Sequence, residues 1–331
     1  MLDVLLVTFP FFALVLCGYV AARKRMLPLD AIPGLNTFVL YFALPCLLYR
    51  FGASTPIAQL LDAAAASVYL LCALALVAFV VWSSRNARID WNDASFGALV
   101  AVFPNTGFMG VPLLVALLGA QAAGPAILTI LVDLLITSSL CIALSRLDSA
   151  DPHGGANGKR AGPSPRTAAR NALKGVAVNP MPWSILLGGL ASAMQFEPVK
   201  PVAQTIGLLA DSASPVALFT IGAVLARSQY IAAQEEHEPM PLRDFVPVAL
   251  VKLLVHPALV WGAGSLAIML GLPLGRFALN VMVLVAALPS ASNVALLSER
   301  FGADTGRIAR IILLTTAAAF LTFSAAVALV Q

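Results

Sequence analysis

Val102-Phe103-Pro104-Asn105-Thr106-Gly107-Phe108-Met109-Gly110-Val111-Pro112 interrupts an apolar run that is otherwise long enough to cross a membrane. Pro104 and Pro112 each remove a backbone donor, and Gly107 and Gly110 loosen the chain between them. In hydrocarbon every freed N–H or C=O must find a partner, so a broken helix survives only where protein covers it or where it lines a watery cavity. Asn105 and Thr106 set a carboxamide and a hydroxyl at that break. A second interruption follows far downstream at Leu288-Pro289-Ser290-Ala291-Ser292-Asn293. Two interrupted segments in corresponding places of two halves point to a transporter's binding site.

The chain around these breaks reads as an integral membrane protein. Of its 331 residues 60% are hydrophobic and 11% charged, against about 45–50% and about 25% in soluble domains. Ten segments approach the roughly 20 apolar residues that a span needs: 4–22, 32–51, 63–82, 95–118, 125–146, 181–196, 203–226, 246–270, 277–298 and 308–330. The start, Met1-Leu2-Asp3, carries an acid, and Arg23-Lys24-Arg25 follows the first segment, which is not a signal-peptide pattern. Cys17, Cys46, Cys72 and Cys141 fall inside apolar segments without CxxC spacing, so buried, inert thiols are expected, and neither zinc nor disulfides.

Charge sets the orientation. With ten spans, sixteen basic residues fall on the side of the odd-numbered loops; the other side holds only Arg50, Lys200 and Arg276. The positive-inside rule makes the rich side cytoplasmic and puts both termini outside, in a cell inner membrane. The net charge of +4 is thus a topology signal and not a nucleic-acid one. The longest polar stretch, 147–178, reads as a flexible cytoplasmic linker whose basic residues hold topology or touch anionic lipid. Loop 227–244, with Glu235, Glu236 and Glu238, reads as a solvated charge run.

The linker divides the chain into halves, 1–146 and 179–331, of five segments each. Val100–Gly107 aligns with Val285–Ser292, and Tyr41–Leu48 with Asp211–Leu218, each pair centred on a proline and lying five segments apart. An odd number of spans per repeat inverts the second half in the membrane. The expected fold is an all-α membrane protein of ten helices in two inverted five-helix repeats. Its helices 4 and 9 are broken, with breaks at Pro104, Pro112 and Pro289, and are crossed if the two breaks meet near the bilayer centre; its second and seventh helices bend at Pro45 and Pro215.

If the broken helices meet, half-helix N-termini present unpaired N–H groups that attract an anion such as a carboxylate. The candidate substrate contacts are Asn105, Thr106, Gly107, Ser290, Ser292 and Asn293; the alternative for the two asparagines is that they cap the broken helices. Asp133, in mid-segment, is a candidate for proton coupling or else a structural acid, and Asp211 a candidate for the cavity wall and for coupling. Lys252 is expected to snorkel to the surface, the alternative being that it pairs with an acid or helps attract an anion, and His256 to be a satisfied helix histidine, the alternative being that it titrates. No Ser-His-Asp spacing, HExxH or phosphate loop is present, so no enzyme, metal or cofactor is expected.

Phe38–Leu48, Asn105–Pro112, Lys252-Leu253-Leu254-Val255-His256-Pro257, and Pro289–Asn293 with Glu299-Arg300-Phe301-Gly302 resemble the bacterial members of the auxin efflux carrier family, which includes proteins described as malonate transporters. The likeness spans the chain except the linker. It implies a scaffold of helices 1, 2, 6 and 7 and a moving unit of helices 3–5 and 8–10. It also implies transport of a small organic anion, a mono- or dicarboxylate. The partners expected are that anion and the bilayer, with H+ or Na+ coupling and a homodimer left open and no nucleic acid. A passive anion channel is the alternative function; a sensor would need more than the 147–178 linker for a signalling domain.

Overall fold

The computed structural model describes residues 2–56, 62–147, 180–234 and 240–330. Beyond Leu147 the expected linker lies outside them, as do Glu235, Glu236 and Glu238. Among the described residues the fold is all helix, with no strand beyond one isolated antiparallel bridge between Pro104 and Ser290.

The first half runs α1 (Leu2–Arg23), α2 (Ile32–Phe38), α3 (Leu44–Ser54), α4 (Ala63–Ser84), α5 (Trp91–Val102), α6 (Val111–Leu118), α7 (Ala123–Val132) and α8 (Ser138–Leu144). The second runs α9 (Pro180–Met194), α10 (Lys200–Gln234), α11 (Val246–Leu250), α12 (His256–Met269), α13 (Arg276–Ala287), α14 (Asn293–Phe301) and α15 (Thr305–Val330). Among the described residues seven helical stretches are long and apolar enough to cross a membrane, among them the joined pairs Leu29–Ser54, Ala120–Leu144 and Val246–Met269. The other three expected segments are shorter. The fourth and ninth are cut by the breaks, and the sixth is the 15-residue α9.

Helix ends follow local chemistry. Asp62 accepts from the Ala65 N–H at 3.0 Å and starts α4; Asp90 accepts from the Asp93 N–H at 2.9 Å and starts α5. Among the described residues four single wide turns of π geometry interrupt the helices, at Val39–Ala43, Thr106–Gly110, Asp133–Thr137 and Val251–Val255. Three of them are followed two residues later by a proline, at Pro45, Pro112 and Pro257. A proline ring clashes with the carbonyl four residues back, and widening the preceding turn carries that carbonyl aside. Pro112 thus sits two residues past a wide turn, inside a helical stretch that runs from Thr106 to Leu118. Pro215 lies within the unbroken α10.

Packing is tightest where small residues meet. α1 runs along α10, and α3 packs on α9. A Cβ on Gly222 would stand 1.8 Å from the Val15 carbonyl oxygen, and one on Gly18 would stand 1.9 Å from that of Phe219. Only glycine lets these backbones approach so closely, as is common between membrane helices. The second pair uses Gly52 against Gly188 in the same way. The deepest helices are α5 and α13, which lead into the two breaks: Ala94–Val102 and Val281–Ala287 are buried without interruption. A helix that is apolar all round belongs in an interior, and here the interior holds the crossover. Of the cysteines, Cys72 and Cys141 are buried as expected, while Cys46 is half-buried and Cys17 is exposed on α1.

Candidate functional site at the helix crossover

Each break supplies the other's missing hydrogen bonds. Pro104 has no N–H, so the Val100 carbonyl loses its normal helical donor. The Ser290 hydroxyl donates to it at 2.7 Å. The Asn105 N–H donates to the Pro289 carbonyl and the Ala291 N–H to the Phe103 carbonyl, both at 2.9 Å. Ser290 itself donates its N–H to the Thr315 hydroxyl of α15 at 3.3 Å. Two segments from opposite halves of the chain thus cross as a two-residue ribbon. The bilayer's demand for internal satisfaction is met between the segments instead of within either one.

Beside the ribbon lies a cavity lined by Pro104, Asn105, Gly107, Ala291 and Asn293, closed by Phe103, Phe108, Ile130 and Leu134 and, from α2–α3 and α9, by Leu40, Leu44 and Met181. Its volume is about 20 Å³. That is room for about one water. The asparagines stand one and four residues past their prolines, yet both reach the same cavity. Neither break is capped from a side chain at its N-cap, Asn105 or Ser292. The Asn293 Oδ1 is buried without a hydrogen-bond partner. The amides are therefore not consumed by helix capping. Gly107 faces the opposing wall, where a Cβ would meet Met181 Cε at 3.3 Å and Leu44 Cδ2 at 3.6 Å.

Three expected contacts sit elsewhere. Ser290 is fully buried and spends its hydroxyl on Val100, so it does not line the cavity. Thr106 is buried with its hydroxyl unpartnered and does not line it either. Ser292 turns to a second, smaller cavity of about 10 Å³, between Asn36, Val39, Thr220 and Val224. The aliphatic wall of Leu40, Leu44, Ile130, Leu134 and Met181 escaped the sequence reading, because its residues look like any lipid-facing or core residue.

The intramembrane charges also separate. Asp211 lies away from the cavity in an exposed pair with Arg50, N–O 2.7 Å. Asp133 is fully buried and accepts from the Tyr69 hydroxyl at 2.9 Å. Lys252 does not snorkel. It is fully buried, with Nζ 2.9 Å from the Ala286 carbonyl and 3.2 Å from His256 Nδ1. The reason is again the break: Ser290 gives its N–H to Thr315, so Ala286, four residues earlier, lacks its helical donor and draws the ammonium inward. His256 is only half satisfied, its Nε2 having no partner. Among the described residues no group of three or more His, Cys, Asp or Glu side chains could hold a metal ion.

Residues 4–327 match the family model described as "Membrane transport protein". The chain is 30% identical over 312 residues to a Rhizobium meliloti (strain 1021) protein named "Putative malonate transporter", covering 93% of this chain and 89% of that one. It is 24% identical over 300 residues to the "Uncharacterized transporter YfdV" of Escherichia coli (strain K12), covering 89% and 88%. Over 145 residues it is 27% identical to the Arabidopsis thaliana "Auxin efflux carrier component 7", covering 43% of this chain and 23% of that one. The chain belongs to the membrane transport protein family that includes the auxin efflux carriers, and it is a multi-pass membrane protein of that family.

Proposed function

We propose that this protein is a secondary transporter of a small organic anion, a mono- or dicarboxylate such as malonate, working by alternating access at the helix crossover. The observation that carries the reading is the meeting of Asn105 and Asn293, one from each broken segment, in one apolar-walled cavity. Amide donors in a water-poor site bind a carboxylate strongly, because little solvent competes for it. The segments that leave the breaks, Thr106–Leu118 and Asn293–Phe301, start there, so their free N–H groups add partial positive charge. The name of the Rhizobium relative supports malonate as the first anion to try.

The architecture that fits this activity has ten crossings in two inverted repeats. The glycine-mediated pairs support it: an exchange of halves turns the α1–α10 contact into the α9–α3 contact. Those helices form the scaffold, and the crossover elements with α4, α7–α8, α11–α12 and α15 form the unit that moves. Leu40, Leu44 and Met181 on one side and Phe103, Asn105, Gly107 and Asn293 on the other then mark the surface where the two slide. The cavity of about 20 Å³ is too small for a dicarboxylate, which makes this a closed state. The 147–178 linker is cytoplasmic and both termini face outward, in the inner membrane, as the basic residues require.

Purified protein reconstituted in vesicles tests the reading. Malonate preloaded inside should drive saturable counterflow of labelled malonate. Flux that rises linearly with concentration and shows no counterflow would make the protein a passive anion pathway. The linker's side is checked by placing a cysteine at Asn157, which an impermeant reagent must fail to label from outside intact cells.

A further inference from the structure

Tyr69, Asp133, Lys252 and His256 come from three separate stretches of chain, and each is fully buried. Tyr69 donates to Asp133 Oδ2, and Lys252 contacts both His256 Nδ1 and the Ala286 carbonyl. Tyr69 and His256 join the two pairs, their ring centroids 6.0 Å apart. By strict hydrogen-bond geometry Asp133 Oδ1 and His256 Nε2 stay open inside the cluster, with the Thr137 hydroxyl, one turn on, near enough to Asp133 to interact with it. Two of the members sit on wide turns, Asp133 opening one and Lys252 inside another. Such turns recur at functional sites and let a helix shift register locally.

We propose that this cluster is a proton-binding site linked to the anion site, so that the protein takes up a proton together with its anion. The inference rests on the transporter reading above. With Lys252 as ammonium and Asp133 as carboxylate the buried group is neutral overall. An uncompensated charge at this depth is costly. An anion that settles at the crossover, whose helix α13 Lys252 caps at the Ala286 carbonyl, brings negative charge, about two units for malonate near neutral pH. One proton added to the cluster offsets one of them. The linkage is reciprocal: the anion favours the proton, and the proton favours the anion. The proton goes to the Asp133 carboxylate, and its affinity there is set by the whole coupled cluster, Tyr69, Lys252 and His256 included. The other titratable groups nearby are Cys72, which donates weakly to the Leu259 carbonyl at 3.8 Å, and the buried Cys141; neither hydrogen-bonds a member of the cluster. The facing stretch of α13, Met282 to Ala286, carries no titratable side chain.

The test counts protons released or taken up on malonate binding. Purified wild-type protein in lightly buffered detergent solution, with a pH indicator, receives malonate, and bound malonate is measured in parallel. The expected result is uptake of close to one proton per bound malonate near neutral pH, and malonate affinity that tightens as pH falls. Asp133→Asn should bring the count per bound malonate toward zero. Tyr69→Phe, which removes one hydroxyl, should move the pH midpoint of uptake. Malonate binding with no proton uptake by the wild type overturns the proton site and leaves the transporter reading intact. An unchanged proton count in Asp133→Asn also overturns it. No malonate binding and no counterflow at all would refute the transporter reading itself.

Discussion

Ser290→Ala isolates the contribution of the crossover. The change removes a hydroxyl and leaves the rest of the break in place. Its loss is felt at Val100, whose carbonyl accepts from Ser290 Oγ at 2.7 Å and whose residue is fully buried. No donor in its own helix can take over. The Phe103 N–H is bonded to Leu99 at 2.9 Å, Pro104 has none, and the Asn105 N–H is committed to Pro289. The carbonyl is therefore orphaned, at a cost of about 1–3 kcal/mol, which is a shift of roughly 5- to 150-fold in the folding equilibrium. Ser290→Cys keeps a weak donor of similar shape and should lose less. Unfolding in mixed micelles of increasing dodecyl sulfate measures both. If Ser290→Ala unfolds within about 0.5 kcal/mol of wild type, the margin usual for inconsequential substitutions, the two breaks do not hold each other, and the account of the crossover fails.

Further outcomes follow from the same geometry. Pro104→Ala restores an N–H and lets α5 run on, so malonate affinity in a thermal-shift titration should fall at least tenfold with normal expression; Pro289→Ala should do less, since Asn105 adjoins Pro104. Asn105→Ala and Asn293→Ala should each weaken malonate binding by about 1.5–3 kcal/mol, the range for a hydrogen bond to a charged group; unchanged affinity in both would remove the amides from the site. Gly222→Ala sets a methyl 1.8 Å from a backbone oxygen, so α1 and α10 must part. Its expected cost is about 1–3 kcal/mol or more, read as a lower melting temperature. Gly107→Val, at the sliding surface, should slow counterflow more than it lowers melting temperature.

The breaks were legible because proline and glycine act on their own backbone, whatever lies around them. Asn105 and Asn293 could be placed beside the breaks for the same reason. The partners across the crossover were not legible, since nothing local in Leu288–Asn293 says which carbonyl its serine must serve. One sign was available: counting four residues back from Pro104 gives Val100, a carbonyl certain to need a donor. Ser290 was read as a ligand because a hydroxyl at a break looks free until that carbonyl is counted. Lys252 was read as a surface cation from its place near a segment end. A break in another helix drew it inward, a pull from Ala286 that position in the sequence does not express. Asp211 sits in a polar run that suggests a cavity, but the exposed Arg50 across from it takes the carboxylate.

The ribbon at the crossover also bears on how the chain is made. Val100, Phe103 and Asn105 leave the ribosome long before Pro289, Ser290 and Ala291, which alone complete their hydrogen bonds. Until then the fourth segment is an incomplete helix with exposed polar backbone, poorly suited to bare lipid. It must wait in a sheltered place, at the edge of the insertion channel or against a chaperone, while almost two hundred residues are added. Truncation before Leu288 should accordingly leave a first half that membrane quality-control proteases remove, and supplying the second half as a separate chain should rescue it.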